Sequence, residues 1–427
     1  MKVIVLGAGV IGVTTAYFLA RSGHEVTVIE KNSAPALGCS YANGGQLSYC
    51  HIEPWSSKKS LISVAKALFK YPSFLSVSDF YSGEFLRWSY EFFKNSKEEK
   101  VSEISKNLFK ITSYSKQILQ QILADEPDLK FDYKKEGILH FFRSQKSFDA
   151  AIKEAEFITS LGDKIQILDK DQCVKKEPTL NKLYDEEKLA GGIFYEEDAS
   201  GDAMLFTKSL AKICREKYGV IFKYDAEVKN IFTNYKKITG INTSVGVFVA
   251  DQYIYALGAF GNKLLKGVGI NSKIYPLKGY SISIASDAEF IAPKIALTDS
   301  ENKIVYSRLG KTFRAAGTIE ACGMKPNKNS KRSDFLKWVV ESTFSDFGNL
   351  NVVSDWCSFR PFRPNSTPLI CQVKKYDNFF INSGHGSLGW TMSAASGKIA
   401  SDLIIGKKNK EFSFLAKEEE NIYTQQR

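Results

Sequence analysis

Two sets of glycines, one near each end of the chain, mark the places where this sequence is best equipped for chemistry. Gly7-Ala8-Gly9-Val10-Ile11-Gly12 follows an apolar run that includes Val3, and the chain must turn there from a buried strand into a helix. Gly7 permits the turn. Gly9 has no side chain to hold the backbone away from a pyrophosphate, whose charge suits free N–H groups and the positive end of a helix dipole. Gly12 lets the helix sit close on the sheet. Glu30 ends the second strand 18 residues after Gly12, where a carboxylate can accept hydrogen bonds from both hydroxyls of an adenosine ribose and disfavours a 2′-phosphate. A lone G-x-G-x-x-G is weak evidence. Here strand, glycines, Ala16, Leu19, Gly23, second strand and terminal acid all fall in register.

The second set is Gly384-His385-Gly386-Ser387-Leu388-Gly389-Trp390-Thr391, at a strand-to-helix junction just before the helix expected over 393–404. A helix start of this kind can hold an anion or an electron-rich carbonyl. One site for a pyrophosphate and another for an electron-rich ring suit a flavin, whose reduced form gathers negative charge near N1 and C2=O. The plainer alternative is a helix cap against the sheet. Between the two sets lies a loop, Gly38 to Gln46, too rich in glycine and small polar residues to be a core element, and able to fold over a cofactor.

The elements that must position these turns alternate between two patterns. Residues 58–125 read as helical, with Phe85, Trp88 and Phe92 spaced for one face. A strand at 137–142, a helix at 147–161, a strand from 191, a helix at 207–218 and a strand at 219–222 suggest an α/β lobe. The strand from Gln252 ends in Ala256-Leu257-Gly258, where the chain must again approach something closely. Short alternating strands at 280–284, 303–307 and 312–316 form an antiparallel sheet, followed by an amphipathic helix over 331–347. The fold class is α/β with an α+β substrate lobe. A Rossmann-like cofactor domain is expected from 1–85, 200–272 and 352–427, and a discontinuous antiparallel-sheet substrate domain from 86–199 and 273–351.

Composition narrows the function classes. A chain of 427 residues, 44% hydrophobic and 13% aromatic, can bury two cores. Its formal charge of +11 is scattered along the sequence without a zinc finger, an aromatic RNA-binding signature or a basic helical array, so no nucleic acid partner is expected. Seven cysteines, odd in number and without a C-x-x-C pair, fit reduced thiols in the cytoplasm. No metal site and no secretory signal are expected, and no stretch of the sequence reaches the apolar length of a membrane span. Residues 55–97 mix Trp55, Phe74, Phe80 and Trp88 with many lysines, which makes peripheral contact with the inner face of the cell membrane a candidate role; a helix with one apolar stripe facing a core explains the pattern equally.

With these motifs in place, the chain resembles the FAD-dependent D-amino-acid-oxidase-like superfamily, which includes glycine and sarcosine oxidases, and within it the branch of the small subunits of bacterial D-amino acid dehydrogenases. The likeness runs almost end to end. It rests on the N-terminal glycines, Tyr41-Ala42-Asn43 with Gly45-Gln46, Gly201-Asp202 followed by Leu205-Phe206-Thr207, Tyr275 to Ser281, Arg360-Pro361, and Gly384 to Met392. The resemblance implies non-covalent FAD, oxidation of small D-amino acids to 2-oxo acids and ammonia by hydride transfer to the flavin, and electrons passed to a quinone or other respiratory carrier. It implies cofactor contacts from Val3, the Gly7 to Gly12 turn, Glu30 and Lys31. Further contacts are implied from Ser40, from Ala42 through Leu47 (Asn43, Gly44, Gly45 and Gln46 included), from Val228, Ala256 and Gly258, and from Gly384 with Gly386 through Thr391. An oxidase of glycine, sarcosine or proline-like amines, with oxygen as acceptor, is the alternative.

Such a substrate demands a cation for its carboxylate, and the planar fork of arginine binds both oxygens. Arg308, at the end of an expected strand, resembles the carboxylate-binding arginine of related enzymes. Arg360, beside Pro361 in an expected rigid turn, is the second candidate, and Arg314 reads as solvated. His385 titrates near neutrality and could shuttle a proton, or simply hydrogen-bond the flavin or pack beneath it. Tyr280 and Tyr306, on adjacent expected strands, could line the pocket or cap the substrate; aromatics on strands are also ordinary core residues.

Overall fold

The computed structural model describes residues 1–69, 73–286, 292–344, 350–407, 409–420 and 422. Lys2–Leu6, buried on both faces after its first residue, pairs in parallel with Glu25–Ile29 on one side and Gln252–Tyr255 on the other. Ile221–Lys223 extends one edge of this six-stranded sheet in parallel. Phe379–Ser383, also parallel, and then Leu369–Gln372, antiparallel, extend the other. Because parallel strands end on the same side, the turns after Leu6, Tyr255 and Ser383 emerge at one edge of the sheet. The two glycine sets are a single strand apart there, about 10 Å between their backbones.

The helices that follow lock this arrangement. Val10–Arg21 and Gly389–Ile404 cross where a Cβ added at Gly397 would lie 2.6 Å from the Thr14 backbone, so the approach requires glycine. The Thr14 hydroxyl donates to the Ser393 carbonyl at 3.0 Å, and the Asn382 amide donates to Thr15 Oγ1 and to the Ser396 carbonyl, both at 3.0 Å. Sequence ends nearly four hundred residues apart are thereby packed as neighbours.

The second sheet has nine strands and is mostly antiparallel. Its order runs Val352–Phe362, Tyr275–Ala285, Thr312–Ala321, Ile304–Leu309, Ala296–Asp299, Ile138–Phe142, Gly191–Tyr195 and Ile165–Asp169, with Leu75–Val77 added beside Thr312–Ala321. Ser330–Thr343 covers one face, burying Phe335, Leu336, Val339 and Val340 against Tyr280, Ile282, Tyr306 and Phe313. The opposite face looks toward the Gly38–Gln46 loop.

Three expectations change. The helical stretch 58–125 is divided into Lys58–Phe69, Gly83–Lys94 and Glu98–Asp125, with the strand Leu75–Val77 inserted after the first; residues 70–72 lie outside the described part. The helix expected to 347 ends at Thr343, and 345–349 are likewise outside the described part. Val352–Phe362, expected with the cofactor lobe, is hydrogen-bonded along its length to Tyr275–Ala285 in the large sheet, from Tyr275 opposite Phe362 to Ile284 opposite Val352. Arg360 therefore sits within a strand, not in a turn.

Candidate functional site

The three turns at the edge of the parallel sheet enclose a cavity of about 410 Å³. Gly7, Gly9, Val10, Ile11, Glu30 and Lys31 line it from the N-terminal unit. Ser40 and Asn43 line it from the loop, Val228, Ala256 and Gly258 from the middle of the chain, and Gly386, Ser387, Gly389 and Trp390 from the C-terminal turn. Both glycine sets thus face one space.

The local geometry suits an extended dinucleotide. Gly7 has φ +103°, and a Cβ there would lie 2.8 Å from the Ala256 carbonyl; one at Gly12 would lie 1.9 Å from the Gly7 carbonyl. The Ser40 hydroxyl accepts from the Val10 N–H at 3.0 Å, which joins the loop to the helix start. Glu30 is held at the rim: Oε2 accepts from the Ala8 N–H at 2.8 Å, and Oε1 accepts from Asn32 N at 2.9 Å and Nδ2 at 2.6 Å. A carboxylate fixed in this way is already oriented to receive ribose hydroxyls. Lys31 rests its ammonium over the Phe260 ring at 4.2 Å.

At the C-terminal turn, Gly384 and Gly386 have φ +83° and +56°, and the helix from Gly389 begins without a side-chain cap. Its first N–H groups remain available to an electron-rich partner. His385 is buried behind the turn with Nε2 2.9 Å from Ser396 Oγ, and burial lowers its pKa to about 3. It is neutral near pH 7 and lines the first cavity, where it can hydrogen-bond the flavin or pack beneath it.

A second cavity of about 150 Å³ adjoins the first, and Asn43, Arg360, Ser387 and Trp390 line both. Its floor is the large sheet. Trp356, Ser281, Ala316, Val305, Thr298 and His140 lie opposite one another across six successive strands and so share the face turned to the loop. Arg360, four residues beyond Trp356, is on that face as well. A Cβ added at Gly279 would fall 2.2 to 2.5 Å from the Arg360 guanidinium, so glycine at 279 makes room for the charged head. Nη1 of Arg360 donates to the Thr318 carbonyl at 3.2 Å, while burial lowers the pKa of the guanidinium and the neighbouring Cys39 thiol partly counters this. Among the described residues no carboxylate is paired with Arg360.

Strand alternation separates the other candidates from this site. Ser307 faces the loop, its hydroxyl donating to the Gly44 carbonyl at 2.8 Å, so Tyr306 and Arg308 point to the opposite face. Tyr306 stacks on Phe313 at 5.8 Å. Tyr280 is buried on the same side and donates to Glu320 Oε2 at 2.5 Å. Arg314, expected to be solvated, is buried on the loop side. Its Nη2 is 3.3 Å from Asp202 Oδ2, Nε donates to Ser283 Oγ at 3.2 Å, and Nη1 donates to the Asn43 carbonyl at 3.4 Å. Asp202 also caps Ala203–Tyr218 by accepting from the Met204 and Leu205 N–H groups. The N-cap pattern of Gly201-Asp202 was the available signal for this clamp.

Several expected cofactor residues are not among those lining the first cavity. Gly44, Gly45, Gln46, Leu388 and Thr391 line the second cavity. Val3 and Leu47 belong to the core, and Gly12 packs on Gly7. Ala8 holds Glu30, the Ala42 carbonyl accepts from Ser281 Oγ at 2.6 Å, and Gly384 abuts Arg363. His51, Trp55, Phe74, His140, Thr298 and Lys303 line the second cavity without having been singled out for it. Each comes from a different position along the chain and none carries a local motif.

A parallel dinucleotide-binding sheet joined to a large antiparallel sheet, with a cavity on each side of one arginine, defines the class as a two-lobed, dinucleotide-dependent oxidoreductase. The family model described as FAD dependent oxidoreductase matches residues 2–403, and the chain belongs to that family. FAD is its cofactor, and the glycine turns, Glu30 and the uncapped helix start fit it. Among its relatives are a D-amino acid dehydrogenase of Azorhizobium caulinodans, 37% identical over 96% of this chain and 97% of the relative, and one of Granulibacter bethesdensis, 35% identical over 96% of each. The fold is similar to that of a Bacillus cereus glycine oxidase, with a TM-score of 0.75 at 20% identity, covering 100% of this chain and 99% of that one.

Proposed function

We propose that the chain oxidises small D-amino acids to 2-oxo acids and ammonia, and that the electrons pass from the flavin to a quinone or another respiratory carrier. The carrying observation is Arg360: a guanidinium at the junction of the cofactor and substrate cavities, free of any carboxylate partner among the described residues. Two charge-assisted hydrogen bonds from its fork hold the α-carboxylate and fix which face of Cα meets the ring. Bound FAD supplies the two-electron acceptor. Neutral His385 keeps its turn closed without exchanging protons near neutrality. The names and coverage of the dehydrogenase relatives support the substrate class.

The acceptor side draws on Gly83–Lys94. Leu86, Tyr90 and Phe93, at helical spacing, are 56%, 60% and 57% exposed, with Lys94 over the Tyr90 ring at 4.3 Å and Phe80 and Tyr81 exposed just before. Apolar and aromatic residues mixed with lysine suit the surface of an anionic membrane, where a quinone would be met. Among the described residues no helix is long and apolar enough to cross one.

Anaerobic addition of D- and L-alanine to the purified holoenzyme tests the reaction. D-alanine is expected to bleach the visible flavin band and L-alanine to leave it. A colourless protein, or a flavin untouched by D-amino acids, contradicts the reading, and rapid peroxide formation in air favours the oxidase alternative.

A further inference from the structure

We propose that a third cavity, between the Gly83–Lys94 helix and the segment 266–275, takes the ring of a quinone, and that a cluster of aromatic side chains carries electrons to it from the flavin. This rests on the reading above and names the place where its acceptor is met. The cavity measures about 450 Å³, within the roughly 300–1,000 Å³ of ordinary small-molecule sites. Trp88, Tyr90 and Tyr275 line it, with Ile274 beside them. Two lining lysines are matched by acids of the helix, Lys266 to Glu84 at 3.0 Å and Lys273 to Glu91 at 3.7 Å. Aromatic walls among paired charges favour a flat, neutral ligand over an anion. Arg87 and Asn271, also in the lining, are the donors for its carbonyl oxygens.

Tyr90 belongs both to this lining and to the exposed stripe it forms with Leu86 and Phe93. The opening therefore lies on the surface that suits a membrane, where a hydrocarbon tail can stay in lipid while the ring enters from the side.

Between this cavity and the first two the contacts are continuous. Ser387, at the C-terminal glycine turn, lines both of the first two cavities and accepts from Trp55 Nε1 at 3.4 Å. Trp55 meets the Phe362 ring edge-on, with centroids 5.8 Å apart. Trp88 Nε1 donates to the Phe362 carbonyl at 3.1 Å, and the Trp88 ring lies 5.7 Å from that of Tyr275. All four rings belong to one apolar cluster. The span is short as well: Pro361 lines the first cavity and Pro364 the third, separated by at most about 11 Å of chain. Electron transfer weakens steeply across gaps, so packed rings over this distance favour it. Two electrons pass from reduced flavin to quinone, and two protons reach the quinone's carbonyl oxygens, leaving oxidised flavin and a quinol. Water at the cavity mouths takes up the protons that leave the flavin and supplies those that arrive.

Holoenzyme reduced anaerobically by D-alanine, or by dithionite titrated to the end point, and then mixed with a short-chain ubiquinone tests the assignment. The rate of flavin reoxidation is expected to saturate as the quinone rises, and the same quinone should quench the tryptophan fluorescence of the oxidised holoenzyme saturably. Glu91→Phe, which adds bulk at the lining, should raise both midpoints by about tenfold, and Trp88→Leu should slow reoxidation by about tenfold and remove most of the quenching. Reoxidation that rises linearly with quinone, or that neither variant changes, overturns the proposal. If D-alanine reduces the flavin and that result follows, this assignment alone fails. A flavin reduced by dithionite but by no D-amino acid defeats the underlying function, and the dithionite arm still decides the quinone site.

Discussion

The two cavities meet at Arg360, yet they are assembled in different ways. The first is made by backbone: three parallel strands end together, and each turn brings glycines whose missing side chains create the space. The second is made by side chains contributed singly from successive strands of the large sheet, with Arg360, Thr298 and His140 on one face because of register. Backbone-built space tolerates almost no added atoms. A face-built site tolerates substitution but depends on which way each strand is turned.

The sharpest way to break the first half is Gly12→Ala. Its methyl group would have to occupy space 1.9 Å from the Gly7 carbonyl, where only backbone movement gives relief. A loss of about 3 kcal/mol in stability, at the upper end for overpacking, and of bound flavin is expected, measured by denaturant unfolding and by flavin absorbance after gel filtration.

Arg360→Met should break the second half and spare the first. Losing two charge-assisted hydrogen bonds, each about 1.5–3 kcal/mol, lowers kcat/KM for D-alanine by roughly 10² to 10⁴ while flavin content stays near that of the natural protein. Gly279→Ala, which intrudes on the same guanidinium, should act in the same direction with a smaller loss.

Acid stability sharpens the comparison further. His385 has a folded pKa of about 3 against about 6.5 when unfolded. The unfolded chain therefore binds the extra proton first, and stability present above pH 6.5 is lost as pH falls toward 3, by up to about 1.4 kcal/mol per pH unit. Asp198 behind the loop has the opposite sign. Burial raises its pKa to about 8, so the stability linked to its protonated form is lost as pH rises from about 4 to 8. His385→Asn should flatten the acid limb of a urea-midpoint profile, and Asp198→Asn the alkaline limb.

The smallest effect belongs to Arg308→Met. Its position on the face away from both cavities predicts kcat/KM within about twofold of the natural value, as for an ordinary surface substitution.

This contrast also explains what could be read from the sequence. Gly7 to Gly12, Glu30 and Gly384 to Gly389 announce themselves because turn geometry is a property of a few consecutive residues. The convergence of the two ends follows once both turns are placed on parallel strands. Arg308 and Arg360, in contrast, rank in the wrong order on paper, Arg308 as a strand-end residue and Arg360 as the second candidate in an expected turn. What separates them is the alternation that turns Ser307 toward Gly44 and Arg308 away, and the pairing that carries Val352–Phe362 into the large sheet. Strand pairing joins residues as distant as Leu75 and Ile319 in the large sheet, and Val3 and Gln252 in the parallel one, and leaves no local trace. The burial of Arg314 is equally invisible in its own segment, because its partner Asp202 lies on a helix cap more than a hundred residues earlier.

A crystal structure of the holoenzyme soaked with a carboxylate it cannot oxidise, such as acetate, tests the central claim most directly. The expected result is one FAD in contact with both the Gly7–Gly12 and Gly384–Gly389 turns, and the carboxylate on the Arg360 guanidinium at hydrogen-bond distance. A flavin touching only one of the two turns, or a carboxylate bound at Arg308, would contradict the account.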